Sequence, residues 1–313
     1  MAHAFLCPGQ GSQSVGMGRE LAEAFPAARE VFEAVDDALG QKLSTLMWEG
    51  PEDALTLTTN AQPALMAVSV ASARVLEAEH GVKVSGARFV AGHSLGEYSA
   101  LAMAGALDIA QAARLLRIRG DAMQDAVKPG VGAMAAILGL DMDAVRSACT
   151  EAAQGETVAP ANDNAPGQIV ISGHSGAVER ASALCKAKGA KRALPLAVSA
   201  PFHCALMEPA ASAMKAALAE ETIAPPTAPL VANVLAAPVP EAEIAQRLVE
   251  QVTGLVRWRE SVAFMAGDGA DVFYELGAGK VLGGLVKRIA PDARALSGGT
   301  PETLEAIAKD LRG

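Results

Sequence analysis

The sequence predicts an α/β fold in two parts, a large domain interrupted by a smaller inserted one. Three observations carry this. An apolar run at 87–91 meets Gly92-His93-Ser94-Leu95-Gly96 and passes at once into a helix-like stretch, the pattern of a sharp strand-to-helix turn. Between residues 129 and 200 the elements follow the order β-α-β-β-α-β, the ferredoxin-like pattern. After residue 201 the chain returns to helices and strands and reaches a strand at 272–276. A length of 313 residues allows a large core and two domains. With 51% hydrophobic and 19% charged residues the chain is globular, and with 4% aromatics its core must come from Ala, Val, Leu, Ile and Met.

The large domain is expected over 1–128 and 201–313, and the insert over 129–200. Residues 3–7 read as a buried strand running into the glycine-rich turn Pro8-Gly9-Gln10-Gly11-Ser12-Gln13. Helices are expected at 18–38, 61–80, 95–104 and 108–127, with the strand 87–91 between the second and third. In the insert, 133–139 reads as a strand and 141–153 as a helix begun by an Asp cap. Strands at 157–161 and 168–172 flank the turn cluster Asn162-Asp163-Asn164-Ala165-Pro166-Gly167. A helix at 176–188 and a strand at 192–198 close it. Pro225, Pro226 and Pro229 then precede a strand at 230–234, and helices follow at 241–253 and 259–267. Gly277-Ala278-Gly279-Lys280 leads into a last helix. Without Walker spacing, and with Val281 where a magnesium-binding hydroxyl belongs, that tetrapeptide is a turn rather than a phosphate loop.

Bulk properties exclude several functions. A net charge of −9 argues against a nucleic-acid binder. The N-terminal stretch lacks a signal-peptide pattern, and no apolar run is long enough to span a membrane. Cys7, Cys149, Cys185 and Cys204 are scattered and form no C-x-x-C pair, which fits reduced thiols in a cytoplasmic protein and no metal site. Cys204 beside His203 reads as a buried structural thiol in preference to a reactive thiolate.

The chemistry starts at Ser94. Gly-x-Ser-x-Gly between strand and helix is a nucleophile elbow, and the following helix aims unpaired N–H groups at whatever sits on the serine. This predicts acyl transfer through an acyl-serine. The serine needs a base. His3 and His80 have ordinary surface contexts, His174 lies in the insert, and His93 neighbours the serine and should point away, helping to hold the elbow. His203 remains, where the insert hands the chain back to the large domain. No histidine follows it, unlike the Ser–acid–His order of α/β-hydrolases, so its orienting group is open: a carboxylate or a carbonyl would serve. On the helix at 108–127, Ala112, Leu115, Ala122, Met123 and Ala126 share a face with Arg119 in its middle, while Arg114, Arg117, Asp121, Gln124 and Asp125 fall opposite. A guanidinium among apolar residues needs a partner. Either it pairs with a core carboxylate, or its planar fork clamps a carboxylate on the substrate.

Together these residues resemble a known family. Pro8-Gly9-Gln10-Gly11-Ser12-Gln13, Gln62-Pro63-Ala64-Leu65, Gly92-His93-Ser94-Leu95-Gly96-Glu97-Tyr98-Ser99-Ala100, Arg119-Gly120, Asn162-x-Asn164-x-Pro166-Gly167-Gln168, Phe202-His203 and Gly277-x-Gly279-Lys280-Val281-Leu282 are similar to the motifs of malonyl-CoA:acyl-carrier-protein transacylases. That family is shared with the acyltransferase domains of polyketide synthases, and the likeness covers nearly the whole chain. It implies an α/β-hydrolase-like large domain with a parallel-sheet core and a ferredoxin-like insert. It implies Ser94 as the acylated nucleophile, His203 as its base and Arg119 as the binder of the malonyl carboxylate. The backbone N–H groups of Gln10 and Leu95 would form the oxyanion hole. The main-chain carbonyl of Gln251 would orient the histidine, although Val252-Thr253-Gly254 departs from the family's pattern there. Phe202 resembles the malonyl-selecting form and would crowd a methyl branch.

The activity so implied moves malonyl from malonyl-CoA to the phosphopantetheine thiol of acyl carrier protein by a ping-pong route, for fatty-acid or polyketide elongation. It needs no metal or redox cofactor. The expected partners are malonyl-CoA and a transiently docked acyl carrier protein, with no nucleic acid or membrane, and the chain is expected to be a cytoplasmic monomer. Carrier proteins of this pathway are acidic, so a local basic patch is expected: Lys186, Lys188, Lys191 and Arg192, or Lys287 with Arg288. Two alternatives stand beside this, a thioesterase on the same elbow and a non-catalytic malonyl-CoA-binding adaptor.

Overall fold

The first strand, β1 (His3–Cys7), begins an alternation that decides the architecture: Phe5 packs into one apolar layer, Ala4 and Leu6 into another. The computed structural model describes residues 2–313. After β1 come α1 (Arg19–Ala24), α2 (Pro26–Leu39), α3 (Leu43–Glu49), α4 (Glu52–Thr56), α5 (Thr58–His80), β2 (Phe89–Gly92), α6 (Gly96–Met103) and α7 (Ile109–Asp125). The insert holds β3 (Gly132–Leu138), α8 (Met142–Ala153), β4 (Val158–Ala165), β5 (Gln168–His174), α9 (Ser175–Ala187) and β6 (Arg192–Pro195). The chain then forms α10 (Glu208–Ala219), β7 (Leu230–Ala232), β8 (Ala237–Pro238), α11 (Ile244–Thr253), α12 (Trp258–Gly267), β9 (Val272–Leu276), α13 (Val281–Ile289), β10 (Arg294–Gly298) and α14 (Pro301–Arg312).

The main sheet has the order β10-β9-β1-β2-β7-β8 and is parallel except for β8, which returns antiparallel to β7. Parallel strands need cover on both faces. One face is covered by α2, α5, α7 and α10, the other by Trp258, Val262 and Met265 of α12 and Leu282, Leu285 and Val286 of α13. The second sheet is antiparallel with order β4-β5-β3-β6, the ferredoxin-like arrangement. Its pleat splits the side chains. Ala135 and Ile137 face α8 and α9, whereas Met134, Ala136 and Val170 join the core of the large domain. The insert is therefore welded to the main body by an apolar face.

Several expectations need correction. The helical region expected at 18–38 consists of two helices separated at Phe25, whose extended backbone precedes Pro26. The long helix starts at Thr58 rather than 61 and runs through Pro63, which therefore sits in the helix interior. The turn cluster at 162–167 is mostly strand: β4 continues to Ala165, because Asn162 bridges to Val256 and the Asp163 N–H donates to the Val256 carbonyl, leaving a turn of Pro166 and Gly167 alone. The strand at 192–198 ends at Pro195. The short helices α3 and α4, and α10, lie where no helix is expected. Nor is the helix after Gly277-Ala278-Gly279-Lys280 the last, since β10 and α14 follow it. All four cysteines are free and buried. The Cys204 thiol donates to the Pro201 carbonyl at 3.1 Å, and burial raises its pKa, so it is a structural thiol.

Candidate active site

Three adjacent parallel strands, β1, β2 and β7, deliver their C-terminal ends to one spot, the usual place for a site in such sheets. The loop after β1 carries Gln10, the turn after β2 carries Ser94, and Asn233 follows β7. Ser94 has φ 54°, a left-handed conformation that a non-glycine residue adopts at a cost. The turn is tight enough to require its glycines. A Cβ at Gly92 would lie 1.9 Å from the Gly96 carbonyl carbon, and one at Gly96 would lie 2.4 Å from the Cys7 oxygen. Asn233 clips the turn from both sides: its Oδ1 accepts the Ser94 N–H at 2.8 Å, and its Nδ2 donates to the Gly92 carbonyl at 2.8 Å.

His203 meets the serine. The Ser94 hydroxyl donates to His203 Nε2 at 2.8 Å, and His203 Nδ1 donates to the main-chain carbonyl of Gln251 at 2.8 Å. That second bond selects the tautomer with Nε2 free to accept. Burial, and then the Arg119 charge, push the His203 pKa down to about 3, against the opposing pull of the Gln251 carbonyl. The imidazole is thus neutral at neutral pH, the state a base must be in.

Arg119 also reaches the serine. Its Nη2 donates to Ser94 Oγ at 3.0 Å and to Gln251 Oε1 at 2.7 Å, and its Nη1 donates to Gln62 Oε1 at 2.7 Å. It is 2% exposed, and its guanidinium lies 5.9 Å from the Tyr98 ring centre. Among the described residues its donors meet amide oxygens and the serine, with no direct carboxylate pair, and its Nε has no hydrogen-bond partner. The ion pair with a core carboxylate is not formed. The carboxylate exists but stands one amide away: Glu97 accepts from Gln251 Nε2 with one oxygen and from the Asn233 N–H with the other. Burial pushes the Glu97 pKa up to about 8, with both hydrogen bonds and Arg119 acting against it.

The amides of Gln10 and Leu95 donate to no protein acceptor among the described residues. The Gln10 side chain is tied down by Thr58, whose hydroxyl donates to its Oε1 at 2.9 Å. These two amides, Ser94, His203, Arg119 and Phe202 line one cleft of about 300 Å³, which Met123, Met134, Leu196 and Val198 make apolar elsewhere. His93 turns away from the serine. Its Nε2 donates to Asn164 Oδ1 of the insert at 2.8 Å and its ring packs on Trp258. Every catalytic or acyl-binding residue expected from the sequence is at this cleft or directly behind it.

Four residues received no role from the sequence. Gln62, Glu97 and Asn164 stood inside quoted motifs, and Asn233 stood in none. Gln62, Glu97 and Asn233 are each at most 1% exposed. The legible signal was a polar residue within an apolar stretch, such as Gln62 in Ala61-Gln62-Pro63-Ala64-Leu65.

The acyl transferase domain family matches residues 4–288. The malonyl CoA-acyl carrier protein transacylase of Escherichia coli (strain K12) is 49% identical over 304 residues, 97% of each chain. The chain belongs to the malonyl CoA-acyl carrier protein transacylase family. Solved structures agree with this membership. An acyl-carrier-protein-S-malonyltransferase from Bartonella henselae superposes on this transacylase-family chain with TM-score 0.97 at 54% identity, covering 100% of both. A malonyl-transacylase in complex with its type II PKS acyl-carrier protein superposes with TM-score 0.95 at 46% identity, covering 99% of this chain and 100% of the other.

Proposed function

We propose that this protein transfers the malonyl group from malonyl-CoA to the phosphopantetheine thiol of acyl carrier protein through a malonyl-Ser94 ester. The observation that carries the reading is the approach of the buried Arg119 to 3.0 Å from Ser94 Oγ. A guanidinium fixed there suits an acyl group whose own carboxylate lies two bonds from the reacting carbonyl. Ser94 Oγ attacks the thioester carbon as His203 Nε2 takes its proton. The oxyanion is received by the N–H groups of Gln10 and Leu95. The C–S bond breaks, CoA leaves as the thiol with the proton from His203, and malonyl stays on Ser94 with its carboxylate on Arg119. In the second half the carrier thiol gives its proton to His203 and attacks the ester, and Ser94 recovers the proton as it leaves. Gln251 holds the imidazole tautomer throughout. All these groups come from one chain, so a monomer suffices.

The names borne by relatives support the acyl donor and acceptor, and the related complex supports a carrier-protein partner. Docking is electrostatic at a basic patch beside the cleft. The products feed fatty-acid or polyketide elongation in the cytoplasm. No helix among the described residues is long and apolar enough to cross a membrane.

Intact-mass measurement after mixing with malonyl-CoA tests the reading. The wild type is expected to gain one malonyl, to lose it on addition of carrier protein, and Ser94→Ala to gain none. An adduct that persists in Ser94→Ala, or release of free malonate in place of transfer, overturns it.

A further inference from the structure

One buried carboxyl group connects the elbow, the base and the arginine of the site. Glu97 is fully buried in the first turn of α6, three residues beyond the nucleophile. One of its oxygens accepts the Asn233 main-chain N–H, and Asn233 is the residue that clips the elbow around Ser94. Its other oxygen accepts from Gln251 Nε2. The same Gln251 amide donates to the Ser94 carbonyl at 2.9 Å and presents its Oε1 to Arg119 Nη2 at 2.7 Å, while its main-chain carbonyl holds His203. The Gln251 side chain therefore has both N–H donors and its oxygen engaged, and its sense of rotation is dictated by what it faces. Because Arg119 carries only donors, the amide must point its oxygen toward Arg119 and its NH₂ toward Glu97, whose oxygen accepts it.

We infer that Glu97 is a positioning residue for the carboxylate clamp: it orients the Gln251 amide so that Arg119 is held by a neutral amide oxygen, with the Glu97 carboxyl one amide away. This arrangement keeps the guanidinium pointed at Ser94 without neutralising it in a direct ion pair. The inference rests on the malonyl-transfer reading and adds to it a second, remote determinant of acyl selectivity.

The test is Glu97→Gln. Glutamine supplies one acceptor where two donors must be met. The Asn233 N–H is main chain and cannot turn, so the new NH₂ faces Gln251. The Gln251 amide must reverse, withdrawing its oxygen from Arg119 and setting its own NH₂ against the guanidinium. Rates of acyl-serine formation from malonyl-CoA and acetyl-CoA are measured by quenched flow and intact mass. Malonylation is expected to fall about tenfold or more, the scale of one charge-assisted hydrogen bond, and acetylation by much less. Gln251→Leu removes the bridging side chain but keeps the carbonyl that orients His203, and is expected to show the same selective loss. The double variant should be no worse than the worse single one, since both break one connection. A purely structural role would depress both acyl groups equally. Equal loss on both substrates, no loss, or additive loss in the double variant overturns the inference. If Glu97→Gln does not fold, Gln251→Leu alone decides between selective and equal loss. A wild type that forms no malonyl-serine defeats the functional reading and this inference with it. Where the wild type acylates normally, equal loss in the variants defeats the role of Glu97 alone.

Discussion

Burial governs the protonation of His203. Its pKa lies near 3 in the folded protein and near 6.5 in an unfolded chain, so between those values the unfolded state binds more protons. The contribution of this group to stability is present above about pH 6.5 and is lost as pH falls toward about 3. Acylation of Ser94 is therefore expected to show no half-loss near pH 6.5. In Arg119→Ala, where the neighbouring charge is gone, the acid limb should move upward. Single-turnover acylation between about pH 5 and 8 checks both. A wild-type limb at about 6.5 would mean the imidazole is exposed to water during the reaction. Arg119→Ala should also separate substrates. Loss of a buried charged partner costs about 3–5 kcal/mol, or about two to three and a half decades at about 1.4 kcal/mol per decade. Malonyl transfer should fall by that much and acetyl transfer should hold or rise. Phe202 is 9% exposed in the cleft wall, and Phe202→Ser should raise methylmalonyl use relative to malonyl. An unchanged ratio leaves Phe202 with no part in selectivity.

At the scale of elements, the site depends on how closely helices approach. Arg119 reaches the serine because α7 lies hard against α5 at the next residue. A Cβ at Gly120 would come within 2.6 Å of Thr59 Cα and 2.8 Å of the Thr58 carbonyl. Gly120→Ala must push the helices apart, at a cost of about 1–3 kcal/mol for overpacking. Thermal melting should show that loss, and malonylation should fall more than acetylation because Arg119 moves with α7. Elements strongly marked by periodicity or by caps were legible. The α7 capping box at Asp108 and Gln111 and the Asp141 cap of α8 are written in local sequence. The buried face of α7 is wider than the periodicity indicates, since Ala113, Leu116 and Gly120 are also covered. The elements α10, β10 and α14 lie between or beyond the spaced motifs, and no expectation covers them.

At the scale of the molecule, the net charge is −9, and the proposed partner is a carrier protein expected to be acidic. The fold sorts the basic residues. Lys188 is paired with Glu151, and Arg288 turns to the Gln168 side chain and the Pro166 carbonyl. Lys186, Lys191 and Lys287 are exposed and have no ion pair among the described residues. Lys191→Glu with Lys287→Glu is expected to slow transfer to carrier protein at low salt and leave acylation by malonyl-CoA nearly unchanged. Equal slowing of both halves, or of neither, would place the docking surface elsewhere.

Sequence alone determined whatever is local or carried by a spaced motif. It placed the elbow at Ser94, the strand before and helix after it, the βαββαβ order of the insert, and the arginine on an apolar helix face. It narrowed the base to His203 because the rivals had other contexts. Resemblance pointed to the Gln251 carbonyl, which lies 2.8 Å from His203 Nδ1. Only the tertiary structure decided what fills the space between those residues. Glu97, Asn233 and Gln62 act through side-chain bonds to positions 154, 141 and 57 residues away. No periodicity or spacing encodes such pairings, because they exist only once β2 and β7 lie side by side and the helices α5, α6, α7 and α11 pack around the site. The choice between an ion-paired and an available Arg119 was of the same kind. It turned on one amide between a carboxylate and a guanidinium, a distance that folding sets and sequence order does not.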